Sequence, residues 1–576
     1  MASSDRKVGR RSFLKAAGGA TVAVTLAGCT GGGSGNDTTT SGTDTTTKSG
    51  DTGTQTSQNG GGQKTIVTYA RGSDSGSLDP QNSTSGEVAK VTNQLYDQLI
   101  EFKPGKTSLT GGLATDWSLT DDTTVSLTLR KGVKFSNGEE FTAADVVATY
   151  RRFVDTNYQY FPGKDYVSGY GPYALGNWID KIEADGDYKA TVTLNKPYAP
   201  ILPNLAMFCS AILSEKAIKA KGKKLKSEPV GTGPFQFDNW DQGNQRIRLT
   251  ANTNYWGDGP YVDEVVFTVV SQNTTRAQTL DTGDADIVDG LGAQSSQLVD
   301  KSGNAKLMHI PGINVGYLAM NMAKLKPFRK KKVRQAVNYA INTKAIVNTI
   351  FRGIAKQASQ PIPPQVLGYN KDLDPYPYDP QKAKSLLKEA GYGDGFKFTL
   401  TTFKNPRTYN PSPIQAAETV SSNLKQVGIS VDVKQMPFDQ FLSFTSAGKH
   451  DACFLGWMTD NADPDNFYYA LLDPGVDVSA VPDGQDWVSF DTKNYNTLNV
   501  AGWANTDYMK LVRDAEQTYD DGKRKTMYQK AGKMVHDEAP WVTMDHAEKM
   551  RGVSNNISGF VVAPIGGPFL RLVKKN

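Results

Sequence analysis

From Thr65 onward the chain switches repeatedly between two hydrophobic rhythms. The segments "TIVTYA" (65–70), "TTVSLTLR" (123–130), "YKATVTL" (188–194) and "RIRLTAN" (246–252) alternate apolar with polar residues, the period-two pattern of a half-buried strand, and "EVVFTVV" (264–270) reads as a further strand. "FTAADVVATYRRF" (141–153) instead spaces its apolar residues for one face of a helix, with Thr142 placed to cap and Asp145 three residues on. "YDPQKAKSLLKEAGYG" (378–393) carries Asp379 as cap, Pro380 at the first helical position and Gly391 as stop. "SPIQAAETVSSNLKQVG" (412–428) ends at Gly428 and leads into the strand "ISVDVKQM" (429–436). Helix, glycine stop and strand in succession predict an α/β body. No repeat of fixed period runs along it. A late apolar run, "DACFLG" (451–456), reads as a buried strand, yet it leads straight into the acid-rich "GWMTDNADPDNF" (456–467).

The N-terminal residues break this rhythm. "GRRSFLKAAGGATVAVTLAGC" (9–29) has paired Arg10 and Arg11, then an apolar segment too short and glycine-rich for a permanent membrane span, then "LAGC". This is the pattern of a twin-arginine export signal with a lipobox, so residues 1–29 are expected to be a lipoprotein signal and Cys29 the lipid-bearing residue. Residues 30–64 are almost wholly Thr, Gly, Ser, Asp, Asn and Gln, which bury too little apolar surface to offset the entropy of ordering. A flexible tether is expected there, leaving a soluble body at the outer face of the cytoplasmic membrane.

Composition narrows the chemistry. The 576 residues suffice for two or more cores, and a net charge of +5 is small for that length. The dense basic run "FRKKKVRQ" (328–335) sits beside Val333, Val337 and Ala340 at helical spacing, so it is expected to be a solvated helix face and not a nucleic-acid patch. Three cysteines cannot build a disulfide framework, and Cys209 and Cys453 lie in apolar contexts suited to buried thiols. The four histidines, His309, His450, His536 and His546, lack ligand-like spacing, which argues against a His-rich metal site; no cofactor is implied. An exported peptidase would need a motif such as H-E-x-x-H or G-x-S-x-G, and neither occurs. The glycines of "PVGTGPF" (229–235) suit a strand-entry turn, and "DPDN" (463–466) suits a turn that caps the following helix.

An ordered succession of motifs gives a resemblance over nearly the whole body. It includes "SLDPQNSTSG" (77–86), "LATDWSLTDDTTVSLTLRKGVKFSNGEEFTAADVV" (113–147), "PVGTGPFQFDNW" (229–240), "NYWGDGPYVDEVVF" (254–267), "VRQAVNYAINTKAIV" (333–347) and "GYNKDLDPYPYDPQKAKSLLKEAGY" (368–392). The chain resembles the extracytoplasmic solute-binding proteins of peptide-type ABC importers, the group that includes dipeptide, oligopeptide and nickel binders. "RTYNP" (407–411) and "GWMTDNADPDNF" are most similar to the dipeptide-binding members. The resemblance implies a two-lobed periplasmic-binding-protein fold of type II, large peptide-binder subclass, with mixed sheets and a two-crossing hinge. It implies one lobe over residues 65–311 with an additional subdomain, a second over 312–545, and a return to the first over 546–576. It also implies a monomer that delivers its ligand to permease subunits with cytoplasmic ATPases.

The resemblance implies site residues too: Arg407 for the ligand carboxylate, Asp460 for its ammonium, Tyr409 as a further ligand-binding residue, the turn Thr84, Ser85 and Gly86, and the main chain of Trp457, Met458 and Thr459. These residue types suit a dipeptide. Two extended residues span at most about 7 Å, so a fixed cation and a fixed anion measure length. The planar guanidinium offers two parallel donors to a carboxylate, and an ammonium needs acceptors. Oligopeptides, a nickel chelate or an oligosaccharide remain alternatives on the same fold. Where dipeptide binders carry a cysteine pair, residues 473–505 have no cysteine, which leaves that loop's cross-link open.

Overall fold

The structure is a computed structural model and describes residues 64–404 and 406–576. The predicted export signal, Cys29 and the tether as far as residue 63 lie outside the described residues.

Strands and helices form where the two rhythms place them. Strands run over Ile66–Arg71, Thr124–Leu129, Lys189–Leu194, Arg246–Ala251, Glu264–Val269 and Ser430–Met436. The helix Ala143–Val154 begins where the Thr142 N–H donates to Asp145 Oδ2 at 2.8 Å, and it buries Val146, Tyr150 and Phe153. The helix Pro380–Glu389 is capped by Asp379, whose carboxylate accepts from the Lys382 N–H at 2.9 Å. Beyond that helix and the helix Pro413–Lys425, Gly391 and Gly428 take φ of 81° and 90°, a left-handed backbone that suits glycine.

The largest sheet has twelve strands of mixed orientation. In one group Ile66–Arg71 lies parallel to Glu264–Val269 and to Ile287–Val288. In another Lys397–Phe403 lies parallel to Ser430–Met436 and, at Leu400 and Thr401, to Ala452–Met458. The long strand Trp541–Ser554 joins the groups. Its first part pairs with Asn314–Met320 and Ala355–Gln357, its second with Ala305–Pro311 and Ile287–Val288. Residues 311–314 and 545–548 therefore pass side by side between the groups. The Asn314 amide fastens them, donating to the Ala547 carbonyl at 2.9 Å and accepting from its N–H at 2.8 Å. A Cβ on Gly312 would stand 2.3 Å from the Ala547 oxygen, so only glycine permits this approach. A separate antiparallel sheet orders Ala114–Asp121, Thr124–Leu129, Lys189–Leu194 and Ile179–Ala184, with the helix Ala143–Val154 packed against it.

Three local expectations resolve in detail. Cys209 and Cys453 are buried free thiols. The helix Lys331–Ala340 buries Val333, Val337 and Ala340 and pairs Lys331 and Lys332 with Glu538 and Glu389 at the surface. Arg334 departs from the solvated face: it is fully buried, held by the carbonyls of Glu538 and Phe328 and by Asp486 at 2.7 Å. In the stretch 473–505 side-chain amides act where a cysteine pair is absent. Asn496 donates to the carbonyls of Ala470 and Asp473, and Asn499 to those of Leu472 and Trp503, all at 2.8–2.9 Å. Val476, Val481, Val488, Ala504 and Met509 add a small core of their own.

Candidate ligand-binding site

Asp460 owes its place to the strand Ala452–Met458, which buries Ala452, Cys453 and Phe454 between Asn314–Met320 and Lys397–Phe403. Asp460 follows two residues past the strand's carboxyl end, where open α/β sheets present ligand sites. It is half-buried, and its carboxylate accepts a hydrogen bond from the Tyr170 hydroxyl. Burial raises its pKa from 3.8 to about 6, against the opposing pull of that bond.

Arg407 comes from the adjacent parallel strand, four residues beyond Phe403. Residues 407–410 close into a turn: the Arg407 N–H donates to the Asn410 carbonyl at 2.9 Å and the Asn410 N–H returns to the Arg407 carbonyl at 3.0 Å. Tyr409 anchors this turn. Its ring meets Phe403 edge-on and covers Gly456, where a Cβ would stand 2.2 Å from ring carbons. Its carbonyl lies 2.4 Å from where a Gly316 Cβ would be. Gly316 and Gly456 are direct cross-strand partners, so together they leave a bare floor that the turn occupies. The turn is thus docked on the strand that delivers Asp460. Burial pushes the Tyr409 phenol up to about 12. Arg407 is exposed, with its guanidinium 3.5 Å from the centre of the Phe438 ring. Among the described residues no ion pair joins Arg407 to Asp460; each charge has its own partner.

The main chain of Trp457 and Met458 pairs with Val315 and Asn314. The opposite edge of that strand is taken into the sheet only at Ala452 and Cys453, so pairing stops short of residues 454–458. The Trp457 indole donates to Asn466 at 2.7 Å, Met458 is exposed, and the Thr459 hydroxyl accepts from the N–H groups of Asn461 and Ala462. Ser85 caps the helix Gly86–Leu95 by accepting from the Glu87 N–H at 3.2 Å, and a Cβ on Gly86 would meet nothing within 4 Å. The segment before this turn reaches toward Asp460 through a short relay. Asn82 donates to the Tyr166 carbonyl at 2.6 Å, the Ser168 N–H donates to the Gln81 carbonyl at 2.8 Å, and Tyr170 two residues on bonds Asp460.

Sequence reasoning missed the aromatic surroundings of Asp460. Tyr170 lies beside Tyr173 and edge-on to Phe208, the Tyr173 hydroxyl accepts from Asn466, and Asn461 donates to Asn204 at 2.8 Å. The tyrosines of "DYVSGYGPY" (165–173) follow no helical or strand period, so nothing local marks them as facing an acid 290 residues away. Asp463 has the structural duty expected of it. Asp463 accepts from the Asp465 N–H at 2.9 Å at the start of the helix Asp465–Leu472. It also forms a buried two-pronged ion pair with Arg524 at 2.9 and 3.0 Å, a partner the sequence had not revealed. Among the described residues no group of three His, Cys, Asp or Glu is placed to hold a metal ion, and no helix is long and apolar enough to cross a membrane.

Residues 108–478 match the family described as bacterial extracellular solute-binding proteins, family 5. The chain belongs to that family. This family 5 solute-binding protein is 33% identical over 520 residues to the dipeptide-binding protein of Escherichia coli (strain K12), covering 87% of this chain and 93% of that one. It is 32% identical over 491 residues to heme-binding protein A of Haemophilus influenzae, covering 82% and 86%. A solved structure of a dipeptide-binding protein from Pseudoalteromonas in complex with Met-Leu superposes with a TM-score of 0.72 at 28% identity, covering 89% of this chain and 100% of that one. The family 5 solute-binding protein thus has the two-lobed, mixed-sheet α/β fold of type II that its motifs implied.

Proposed function

We propose that the protein is the substrate-binding component of an ABC importer and captures dipeptides between two closing lobes. The observation that carries this reading is the docking of the turn 407–410 on Gly316 and Gly456. It sets a cation from one strand end beside the strand that carries an anion. Asp460 receives the ligand ammonium under the Tyr170 hydroxyl. Arg407 leaves the Phe438 ring and takes the ligand carboxylate through two parallel donors. The main chain of 457–459 accepts the extended peptide between them, and Thr84–Gly86 contributes from the other lobe. Fixed charges at both ends reject a third residue while leaving the side chains free.

On this reading residues 65–311 and 546–576 form one lobe and 312–545 the other, with the paired passages 311–314 and 545–548 as hinge. Lipid on Cys29 after twin-arginine export holds the monomer at the outer membrane face, where it hands ligand to a permease driven by cytoplasmic ATPases.

Titration calorimetry with Met-Leu, N-acetyl-Met-Leu and Met-Leu amide tests the two anchors. Met-Leu is expected to bind, and blocking either terminus to cost about 2–5 kcal/mol, because a protein charge enclosed by the closed lobes loses its partner. Asp460→Asn is expected to lose a similar amount for Met-Leu. Equal affinity for free and acetylated peptide would remove Asp460 from the site. Binding of an oligopeptide, nickel chelate or oligosaccharide with no heat from Met-Leu would replace the ligand class.

A further inference from the structure

The Thr84–Gly86 side of the molecule holds a cluster of charges that the dipeptide anchors do not use. Near the carboxyl ends of Ile66–Arg71 and Ile287–Val288, five cations (Arg71, Lys90, Arg276, Lys549, Arg551) gather around three acids (Asp74, Glu87, Asp289). The acids are already engaged. Asp289 pairs with Lys90 at 2.5 Å and accepts from the Tyr69 hydroxyl at 3.1 Å, which in turn accepts from Arg551 at 3.1 Å. Glu87 pairs with Lys90 at 2.6 Å, and Asp74 with Arg71 at 2.7 Å. Arg276 is satisfied by the carbonyls of Asp289, Gly290 and Val270. Among the described residues Lys549 forms no ion pair and donates only to the Pro564 carbonyl, at 3.4 Å.

Its position makes that vacancy of charge useful. Lys549 and Arg551 are two apart on one strand and so share a face, while Gly552 between Arg551 and Val553 turns to the other face, against Leu280, Val288 and Val299. Lys549 comes directly after the passage 545–548, and Lys90 stands one helical turn beyond the Ser85–Gly86 turn. Burial lowers the Lys549 pKa to about 7, and Arg551 and Lys90 push the same way, with Asp289 opposing.

We propose that Lys549, supported by the field of Lys90 and Arg551, forms an anion-accepting subsite beside the Thr84–Gly86 turn that receives an acidic ligand side chain. The inference rests on the dipeptide reading and adds to it a preference for dipeptides bearing Asp or Glu. An incoming carboxylate supplies the counter-charge that the half-buried ammonium lacks, and a cationic side chain is repelled.

Titration of the whole protein and of Lys549→Met with Ala-Ala, Ala-Glu, Ala-Gln, Glu-Ala and Gln-Ala tests it. Wild type is expected to bind one glutamate peptide about tenfold or more tightly than its glutamine counterpart. In Lys549→Met that ratio is expected to fall to about one, with no drop in melting temperature, since the lost charge was paired with no acid among the described residues and had only a long bond to the Pro564 carbonyl. Equal affinity for Glu and Gln peptides alongside measurable Ala-Ala binding would overturn the subsite and leave the dipeptide reading standing. A glutamate preference that survives in Lys549→Met would overturn the role of Lys549. No binding of any of the five would sink the dipeptide reading and this inference with it.

Discussion

Asp460 is an acid kept partly out of water, and its energetics follow from that. Its pKa stands at about 6 in the folded chain against an ordinary value of 3.8. Between those values the folded state binds more protons than the unfolded one. The stability associated with this group is therefore present at low pH and lost as pH rises through about 6. A ligand ammonium reverses the preference, because it needs the ionised carboxylate. Below about pH 6 binding must expel a proton, so Met-Leu affinity is expected to fall about fivefold from pH 6 to pH 5 and to change little from 6.5 to 7.5. Calorimetry across that range checks the slope, and Asp460→Asn is expected to flatten it. Burial likewise pushes the pKa of the fully buried Asp545 well above its ordinary value, and among the described residues neither of its carboxylate oxygens has a hydrogen-bond partner.

At the scale of elements, the decisive contact is a turn resting on two strands. Gly316 and Gly456 face each other across the ladder, and the absence of both side chains is what admits Tyr409. Gly456→Ala would set a Cβ 2.2 Å from the Tyr409 ring and lift the turn that carries Arg407. Such overpacking costs about 1–3 kcal/mol of stability. Met-Leu affinity is expected to drop further than the melting temperature implies, by more than about tenfold, since the cation leaves its register. Gly86→Ala serves as the contrast: it meets no atom within 4 Å, so thermal unfolding is expected to shift little. A Gly456→Ala protein with unchanged affinity would detach Arg407 from the site.

At the scale of the whole molecule, Tyr170 and Asp460 come from segments 290 residues apart and are joined by a hydrogen bond. On the proposed division of lobes this bond spans the cleft and favours the closed form. Tyr170→Phe removes the hydroxyl and keeps the ring that packs against Phe208. The unliganded variant is expected to show a larger radius of gyration by small-angle X-ray scattering than the unliganded wild type, with Met-Leu bringing both to the same value. Identical scattering without ligand would deny the bond any part in closure.

The sequence alone determined what depends on neighbours within a turn or a strand. Period and capping located the helix behind Thr142 and Asp145, the glycine stops at 391 and 428, and the strand that delivers Asp460, because side-chain spacing and caps act over a few residues. The ordered motifs likewise pointed to the family that residues 108–478 match. Only the tertiary structure decided the partners. Tyr170 over Asp460, Tyr409 over Gly456, Arg524 on Asp463 and Lys90 on Asp289 all join distant segments. No local rhythm encodes them, because a buried charge is set by whatever packing brings against it and by the water that packing removes.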